Sequence, residues 1–389
     1  MNIHIVAPYW SPFVGGAEVV AEETATWLAA RHEVTVHTAR LERARHGARV
    51  PWSADVDRVG EVEIRRYATV GPRPLFYPSL GGAEIVHFHG FYRPLLLAVV
   101  LESFHGPLVV QPHGNLSHER GGQAPVRLAL RRGIDNRAIP ALAGRISAAV
   151  YLSTDERRRL EAMGLGARLL LYLPGPVRQS MVDRAKARAA VPGGRDPDLF
   201  AVVSRLVPYK YVEHALLAAA RIPAVRLAIV SASAEPAYER RLRALARDLD
   251  IEGRVSWELS AGPDQLTQIL SRAVGTVLPS RTEGWPLSVA ESVLFGAIPV
   301  GTRSAVGHAA ADMGVPLVYE WGDIDELVGL MERIHDDAGS FAEPLAEGRK
   351  WVLENLTPEA AGGRLEELYR SLLRARAGDC GSSQAGDRS

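Results

Sequence analysis

The chain has 389 residues, with 45 basic and 45 acidic side chains and so no formal net charge. Its 47% hydrophobic content excludes a disordered polymer, and the charge balance argues against a whole-chain nucleic-acid binder, which carries a basic excess. At about 150 residues per domain the length predicts two domains, or three. Two asymmetries lie beneath the zero. Only 3 of the basic residues are lysines, namely Lys186, Lys210 and Lys350. Residues 1–180 hold 21 Arg against 16 acids, and residues 181–389 hold 24 basic residues against 29 acids, so a +5 half precedes a −5 half.

The single cysteine, Cys380, excludes an intrachain disulfide and a cysteine-rich zinc site. Met1-Asn-Ile-His-Ile-Val does not read as a signal peptide. The aliphatic run Leu95 to Leu101 falls short of the ~20 residues of a spanning helix. A reducing, cytoplasmic setting is expected.

Ile3, Ile5 and Val6 predict a short buried strand, followed by a Pro- and Gly-rich loop over 8–16. Ala17 to Arg31 has helical spacing, and Val34-Thr-Val-His-Thr is a second strand. Strand, helix and strand in 40 residues make a βαβ unit and hence a parallel sheet in an α/β fold. Further strands are predicted at 85–87, 108–111 and 148–152. Residues 174–197 carry the densest turn chemistry, including Pro174, Gly175 and Pro176, and read as an interdomain connection around a small helix. Alternation then resumes. Strands are predicted at 199–203, 226–230, 255–257, 276–278, 298–300 and 317–319. Helices are predicted near 211–221, 236–249, 263–273, 286–296, 323–335 and 343–355. Pro358 begins a last helix.

This predicts two doubly wound, Rossmann-like α/β domains facing each other across a cleft. The first covers 1–175 and is joined by the C-terminal helix (about 358–374). The connection is 176–197, the second domain 198–357, and the tail 375–389 is disordered. Ligands of such domains sit at the carboxyl ends of the strands.

Three loops carry candidate chemistry. In the first, Gly15-Gly16 joins a strand to a helix N-terminus, where free amides and the helix dipole favour a phosphate. It is not G-x-G-x-x-G, and Thr38-Ala39-Arg40 stands where a dinucleotide site would place an acid, so a packing turn is an equal reading. The second is Ser204-Arg205-Leu-Val-Pro-Tyr-Lys210, directly after a strand. Arg205 and Lys210 there can grip a diphosphate together, against the alternative of solvated surface charge. The third is Ser280-Arg-Thr-Glu283-Gly-Trp-Pro286-Leu287-Ser288-Val-Ala-Glu291. Pro286 suits a first helical turn, which leaves Glu283 in a loop and Glu291 on the helix. The amides of Leu287 and Ser288 would point at a phosphate, and Glu291 can accept two ribose hydroxyls.

In order and spacing, these motifs resemble the family-4 retaining glycosyltransferases of GT-B architecture, over almost the whole chain. The resemblance also rests on Pro8-Tyr-Trp-Ser-Pro-Phe-Val-Gly-Gly-Ala-Glu18, Val86-His-Phe-His-Gly90, Gln111-Pro-His113-Gly and Glu366-Glu-Leu-Tyr-Arg370. It implies a second domain that binds a nucleotide-diphosphate sugar and a first domain that binds a hydroxyl acceptor (a glycan, lipid-linked saccharide or glycolipid precursor). Gly16 would line the donor phosphates. Arg205 and Lys210 would neutralise the leaving diphosphate, Glu291 would hold the ribose, and Glu283 and His113 would contact the donor sugar. No cofactor beyond the donor is implied. Three departures stand out. Ser231-Ala-Ser233 replaces the family's frequent Gly-Asp-Gly, Leu173-Pro-Gly-Pro-Val177 replaces Asn-Gly-Val-Asp, and Ser292-Val-Leu-Phe-Gly296 replaces Ala-Met-Ala-x-Gly. Other readings remain: an epimerase or coupling enzyme on the same scaffold, or a degenerate nucleotide-sugar binding protein.

His87 and His89 alternate on one strand, a spacing metals use, but no third ligand adjoins them and no metal site is expected. Asp323-x-Asp325 reads as a helix cap. Arg127, Arg131, Arg132, Arg137 and the run Arg157-Arg158-Arg159 place positive charge on the first domain, which fits an anionic lipid surface or a lipid-diphosphate acceptor, beside ordinary helix surface in an Arg-rich chain. Peripheral membrane contact predicts pelleting with anionic but not neutral vesicles at moderate salt. Equal, negligible binding to both removes it.

Overall fold

The computed structural model describes residues 1–11, 15–40, 55–69, 75–90, 94–114, 137, 140–166, 168–187, 194–259 and 261–385. Two compact units result. One comprises the described residues up to Pro176 together with those from Pro358 onward; the other comprises those of Val177–Thr357.

The first unit is built on eight strands: β1 (Asn2–Val6), β2 (Glu33–Ala39), β3 (Val56–Val59), β4 (Val62–Tyr67), β5 (Ile85–His89), β6 (Leu108–Gln111), β7 (Ala148–Tyr151) and β8 (Leu169–Tyr172). They lie in the order β3-β4-β2-β1-β5-β6-β7-β8. All pairs are parallel except β3 with β4. The apolar strands β1, β2, β5, β6 and β7 coincide with the predicted ones. The β3–β4 hairpin escapes hydrophobic patterning because β3 lies at the sheet edge with Val56 and Val59 exposed, and charged residues (Asp57-Arg58 in β3; Glu63, Arg65 and Arg66 in β4) interrupt both strands. Its tight turn uses Gly60 at φ +57°, and Arg66 Nε donates to Asp57 Oδ2 at 2.9 Å.

Helix α1 (Gly16–Ala29) follows β1 and turns Val20, Ala21, Ala25 and Leu28 inward. That face meets Ile3 and Ile5 of β1 and Val34 and Val36 of β2. Helices α2 (Pro94–Ser103) and α3 (Thr154–Leu160) also belong to this unit. The C-terminal helix, designated α12 (Pro358–Ala385), adds Ala361, Leu365, Leu368 and Tyr369 to the same core. It continues past residue 374, where irregular chain was expected; Arg374-Ala-Arg-Ala is a run of good helix formers that carries the first turn of the extension.

The second unit contains β9 (Asp196–Val203), β10 (Arg226–Ser231), β11 (Val255–Leu259), β12 (Ala273–Leu278), β13 (Ile298–Thr302) and β14 (Leu317–Tyr319). The order β11-β10-β9-β12-β13-β14 is parallel throughout and reverses direction at β9, which makes β9 and β12 the switch point of a doubly wound sheet. Its helices are α4 (Gln179–Ala187), α5 (Glu213–Arg221), α6 (Pro236–Asp248), α7 (Pro263–Arg272), α8 (Leu287–Leu294), α9 (Arg303–Met313), α10 (Ile324–Asp336) and α11 (Ala342–Asn355). Helix α4, in the connecting segment, packs against α7 and α8 and so clusters with this unit. Helix α9 is absent from the sequence prediction. Its inward face is a narrow stripe of Ala305, Val306, Ala309 and Met313, with Gly307 in mid-helix.

The turn Leu173-Pro-Gly-Pro-Val177 packs tightly onto α1. A Cβ at Gly175 would lie 2.1 Å from Val20 Cγ2. Gly175→Ala is therefore expected to destabilise the first unit by about 1–3 kcal/mol, read as a lower urea midpoint, and Val20→Ala in the same chain should recover part of it. An unchanged midpoint in the single variant would contradict the close approach.

Candidate active site

In the second unit the chemistry gathers where β9 and β12 end. After β9, Pro208 opens a single 3-10 turn over Pro208–Lys210, and Tyr211 closes it in the left-handed region at φ +50°. This turn presents Tyr209 and Lys210 together. Lys210 Nζ forms an ion pair with Glu283 Oε1 from the loop after β12, with 13% and 17% of the two side chains exposed. Arg205 donates to the Tyr209 hydroxyl. The guanidinium of Arg205 and the ammonium of Lys210 each lie 5.8 Å from the centre of the Tyr209 ring. Tyr209 therefore holds two like charges against one aromatic group, which favours cations over its face. It is a site residue that the motif reading missed; its place between two proposed phosphate ligands is the available signal.

The loop carrying Glu283 is fixed from β13 and α9. Thr302 Oγ1 donates to the Ser280 carbonyl at 2.6 Å, and the Ser304 hydroxyl donates to that of Arg281. His308 of α9 bonds the Gly284 backbone; burial pushes its pKa down while Asp312 and Glu283 pull it up. The site thus draws on a helix that hydrophobic periodicity did not reveal. Pro286 is the extended N-cap residue of α8, one position earlier than a first-turn proline. The Val289 N–H is taken by the Pro286 carbonyl at 3.0 Å. Those of Leu287 and Ser288 have no carbonyl behind them in the helix, so the positive end of α8 is available to an anion. Glu291 is buried on the next turn. Burial pushes its carboxyl up to about 7, against the pull of Arg178.

Where the family often has Gly-Asp-Gly, Ser231 closes its own turn by donating its hydroxyl to the Ser233 carbonyl at 2.6 Å. The Ser233 carbonyl also accepts from Leu206 N at 2.9 Å, and the Leu206 carbonyl accepts from Glu235 N, so the loops after β9 and β10 are tied together.

In the first unit, Gly15 is the extended N-cap of α1, and its carbonyl accepts from Val19 N at 2.9 Å. Gly16 is exposed as the first helical residue. Three histidines collect at the ends of β5 and β6. His89 Nδ1 lies 2.7 Å from His113 Nε2 with the rings stacked at 4.9 Å. His87 Nδ1 lies 2.7 Å from the Tyr369 hydroxyl of α12. Burial holds His87 down to about 3 and His89 well below the usual range, so both rings are neutral at pH 7. His113 is itself left-handed at φ +58°. Glu156 of α3, also missed from sequence, accepts from Gly114 N at 2.7 Å and Leu152 N at 2.8 Å.

The structure thus brings Lys210 to Glu283, and Arg205 to Tyr209 beside them; Glu291, Leu287 and Ser288 share α8, and Gly15, Gly16 and His113 belong to the other unit. Among the described residues no group of three or more His, Cys, Asp or Glu is arranged to hold a metal, and no helix is long and apolar enough to cross a membrane. Asp323 caps α10 through its side chain, as expected. The basic run is partly cancelled: Arg157 pairs with Glu161 at 2.9 Å and Arg159 with Asp155 at 2.8 Å. Arg137 and Arg158 are exposed, while Arg127, Arg131 and Arg132 lie outside the described residues.

Comparison with known proteins agrees with this architecture unit by unit. Residues 14–177 match the Glycosyltransferase Family 4 model, and residues 183–351 match that of the Glycosyl transferases group 1. A D-inositol 3-phosphate glycosyltransferase of Nocardia farcinica is 27% identical over 344 residues, covering 77% of this chain and 74% of the relative. One from Mycobacterium sp. (strain KMS) is 30% identical over 176 residues, covering 42% and 38%. Sucrose-phosphate synthase from Thermosynechococcus elongatus superimposes with a TM-score of 0.77 at 18% identity, covering 96% of this chain and 99% of that one. HepE of Anabaena, in complex with UDP and glucose, gives 0.71 at 16% identity, covering 95% and 100%. The fold is that of the GT-B enzymes. The chain belongs to the group 1 glycosyltransferases, with a family-4 first domain, and is a glycosyltransferase.

The buried carboxyl of Glu291 makes stability depend on pH. Its raised pKa means that ionisation penalises the folded state relative to the unfolded chain. The penalty is absent below the ordinary carboxylate range and complete above about pH 7. Glu291→Gln is therefore expected to stabilise the ligand-free protein by about 2–3 kcal/mol near pH 8 and by nothing measurable near pH 4, read by chemical denaturation at both. Equal effects at the two pH values would show that Glu291 is not held neutral.

Proposed function

We propose that the enzyme is a retaining glycosyltransferase that moves a sugar from a nucleotide-diphosphate sugar to a hydroxyl acceptor. The observation that carries this reading is the ion pair of Lys210 with Glu283 beside the Tyr209-bound Arg205, at the carboxyl ends of two neighbouring strands. In the absence of donor the ammonium and carboxylate satisfy each other. A donor diphosphate competes for Lys210 and Arg205, and its sugar hydroxyls take over Glu283. The amides of Leu287 and Ser288 add an anion site, Glu291 receives the ribose hydroxyls, and Gly15 and Gly16 line the phosphates from the first domain. His113 bonds a donor sugar hydroxyl. As the glycosidic bond breaks, charge builds on the diphosphate, and preorganised cations stabilise that charge more than the ground state. Acceptor attack on the face of departure retains configuration and needs no settled nucleophile.

The acceptor is a glycan, lipid-linked saccharide or glycolipid precursor. A phosphorylated polyol is a second acceptor class, favoured by the name of the Nocardia farcinica relative. Peripheral contact with anionic lipid would rest on residues such as Arg137 and Arg158.

Lys210→Ala and Glu283→Ala are each expected to lower transfer by roughly 10²- to 10³-fold while the melting curve stays native. Nucleotide-diphosphate release across a donor panel, with and without acceptors, reads this. Wild-type-like turnover in both variants would defeat the assignment. Conversion of the donor without acceptor would indicate an epimerase, and donor binding without turnover a binding protein.

A further inference from the structure

A serine followed three residues later by a glutamate at a helix start normally forms a reciprocal cap, in which the glutamate reaches back to the serine N–H. Ser153-Thr-Asp-Glu156 begins in that way: the Ser153 hydroxyl accepts from Glu156 N at 3.2 Å. The carboxylate then departs from the pattern. Its Oε2 takes the N–H of Leu152, the residue before the cap, and its Oε1 crosses to the N–H of Gly114 in the loop after β6. One buried side chain thereby joins the ends of two adjacent strands, β6 and β7, that are paired at Val109–Ala148 and Val110–Ala149.

The loop needs such a tie. His113 and Gly114 are consecutive left-handed residues, at φ +58° and +70°. For histidine that conformation is disfavoured and persists only where the surroundings over-determine it. Among the described residues, two contacts contribute to this. His89 takes the His113 ring at 2.7 Å, and Glu156 takes the amide of the next residue. Neither contact alone fixes both the backbone and the ring. The carboxylate also sits in the first turn of α3, where the helix dipole favours negative charge and offsets part of the cost of burial.

We propose that Glu156 is a positioning residue for transfer, a latch that holds the His113–Gly114 turn so that the His113 imidazole meets the donor sugar at a fixed distance. This rests on the role given to His113 above. The latch acts on geometry in the reacting complex and leaves the second-domain donor contacts alone. A displacement near 1 Å at such a group is felt mainly in turnover.

The test is a double-mutant cycle with an independent structural readout. Glu156→Gln keeps the side chain's length and one acceptor oxygen, and melting checks that the fold survives. It is expected to lower kcat roughly 10- to 100-fold with the donor KM within about threefold of wild type. Combined with His113→Ala it should cost no more than His113→Ala alone, because both changes remove one function. Hydrogen-exchange mass spectrometry of the peptides holding Gly114 and Leu152 should show faster exchange in Glu156→Gln. Additive losses in the cycle, or unaltered exchange at Gly114, would overturn the proposal. Wild-type kcat in His113→Ala would overturn the role given to His113, while the exchange experiment still reads the latch.

Discussion

Lys210 and Glu283 meet because β9 and β12 are hydrogen-bonded neighbours in the second sheet, although the two residues are 73 positions apart. Parallel strands need long crossover connections, and those connections leave all the strand-to-helix loops on one edge. At the point where strand order reverses, the two flanking loops are free to face each other. The sheet interior is packed tightly enough to fix that meeting. A Cβ at Gly275 of β12 would lie 2.7 Å from the Phe200 ring of β9. The ion pair depends on this close strand contact, and the proposed diphosphate grip uses the Lys210 that the contact positions.

Within the two units, three carboxylates are kept by different means. Glu283 is partly exposed and paired with a cation. Glu291 and Glu156 are both buried, and burial drives each up to about 7. Glu156 is compensated by two backbone amides and is used structurally. Glu291 has Arg178 acting on it. A carboxyl raised by burial can ionise when ligand hydroxyls donate to it, so the cost of its burial is of the kind that binding relieves.

Most of the fold was legible because buried parallel strands are short apolar runs and the helices between them carry a clear apolar face. The six strands of the second unit and helices such as α6 and α10 follow that rule. The β3–β4 hairpin did not, because an exposed edge strand has no need of apolar residues. Helix α9 did not, because small residues and Gly307 give it a weak stripe. The C-terminal helix overran its expected end: the good helix formers of 374–377 carry it past the point where low hydrophobicity had read as disorder. In the site, Arg205, Lys210, Glu283 and Glu291 stood out through motif spacing. Tyr209 and Glu156 did not, since their roles arise from contacts with residues chosen elsewhere in the chain.

The amino-acid sequence by itself determined the α/β class, the two-unit alternation, the unequal division of charge and the family to which the chain belongs. Local periodicity and motif spacing are written along one dimension. Only the tertiary structure decided that Lys210 is already engaged by Glu283, that Tyr209 carries two cations, and that a glutamate resembling a helix cap instead ties down the His113 turn. Each of these is a pairing between segments that folding brings together, set by strand order and burial. The net charge of zero is likewise an average over local pairings, and two arginines of the basic run on α3 are matched by acids one helical turn away.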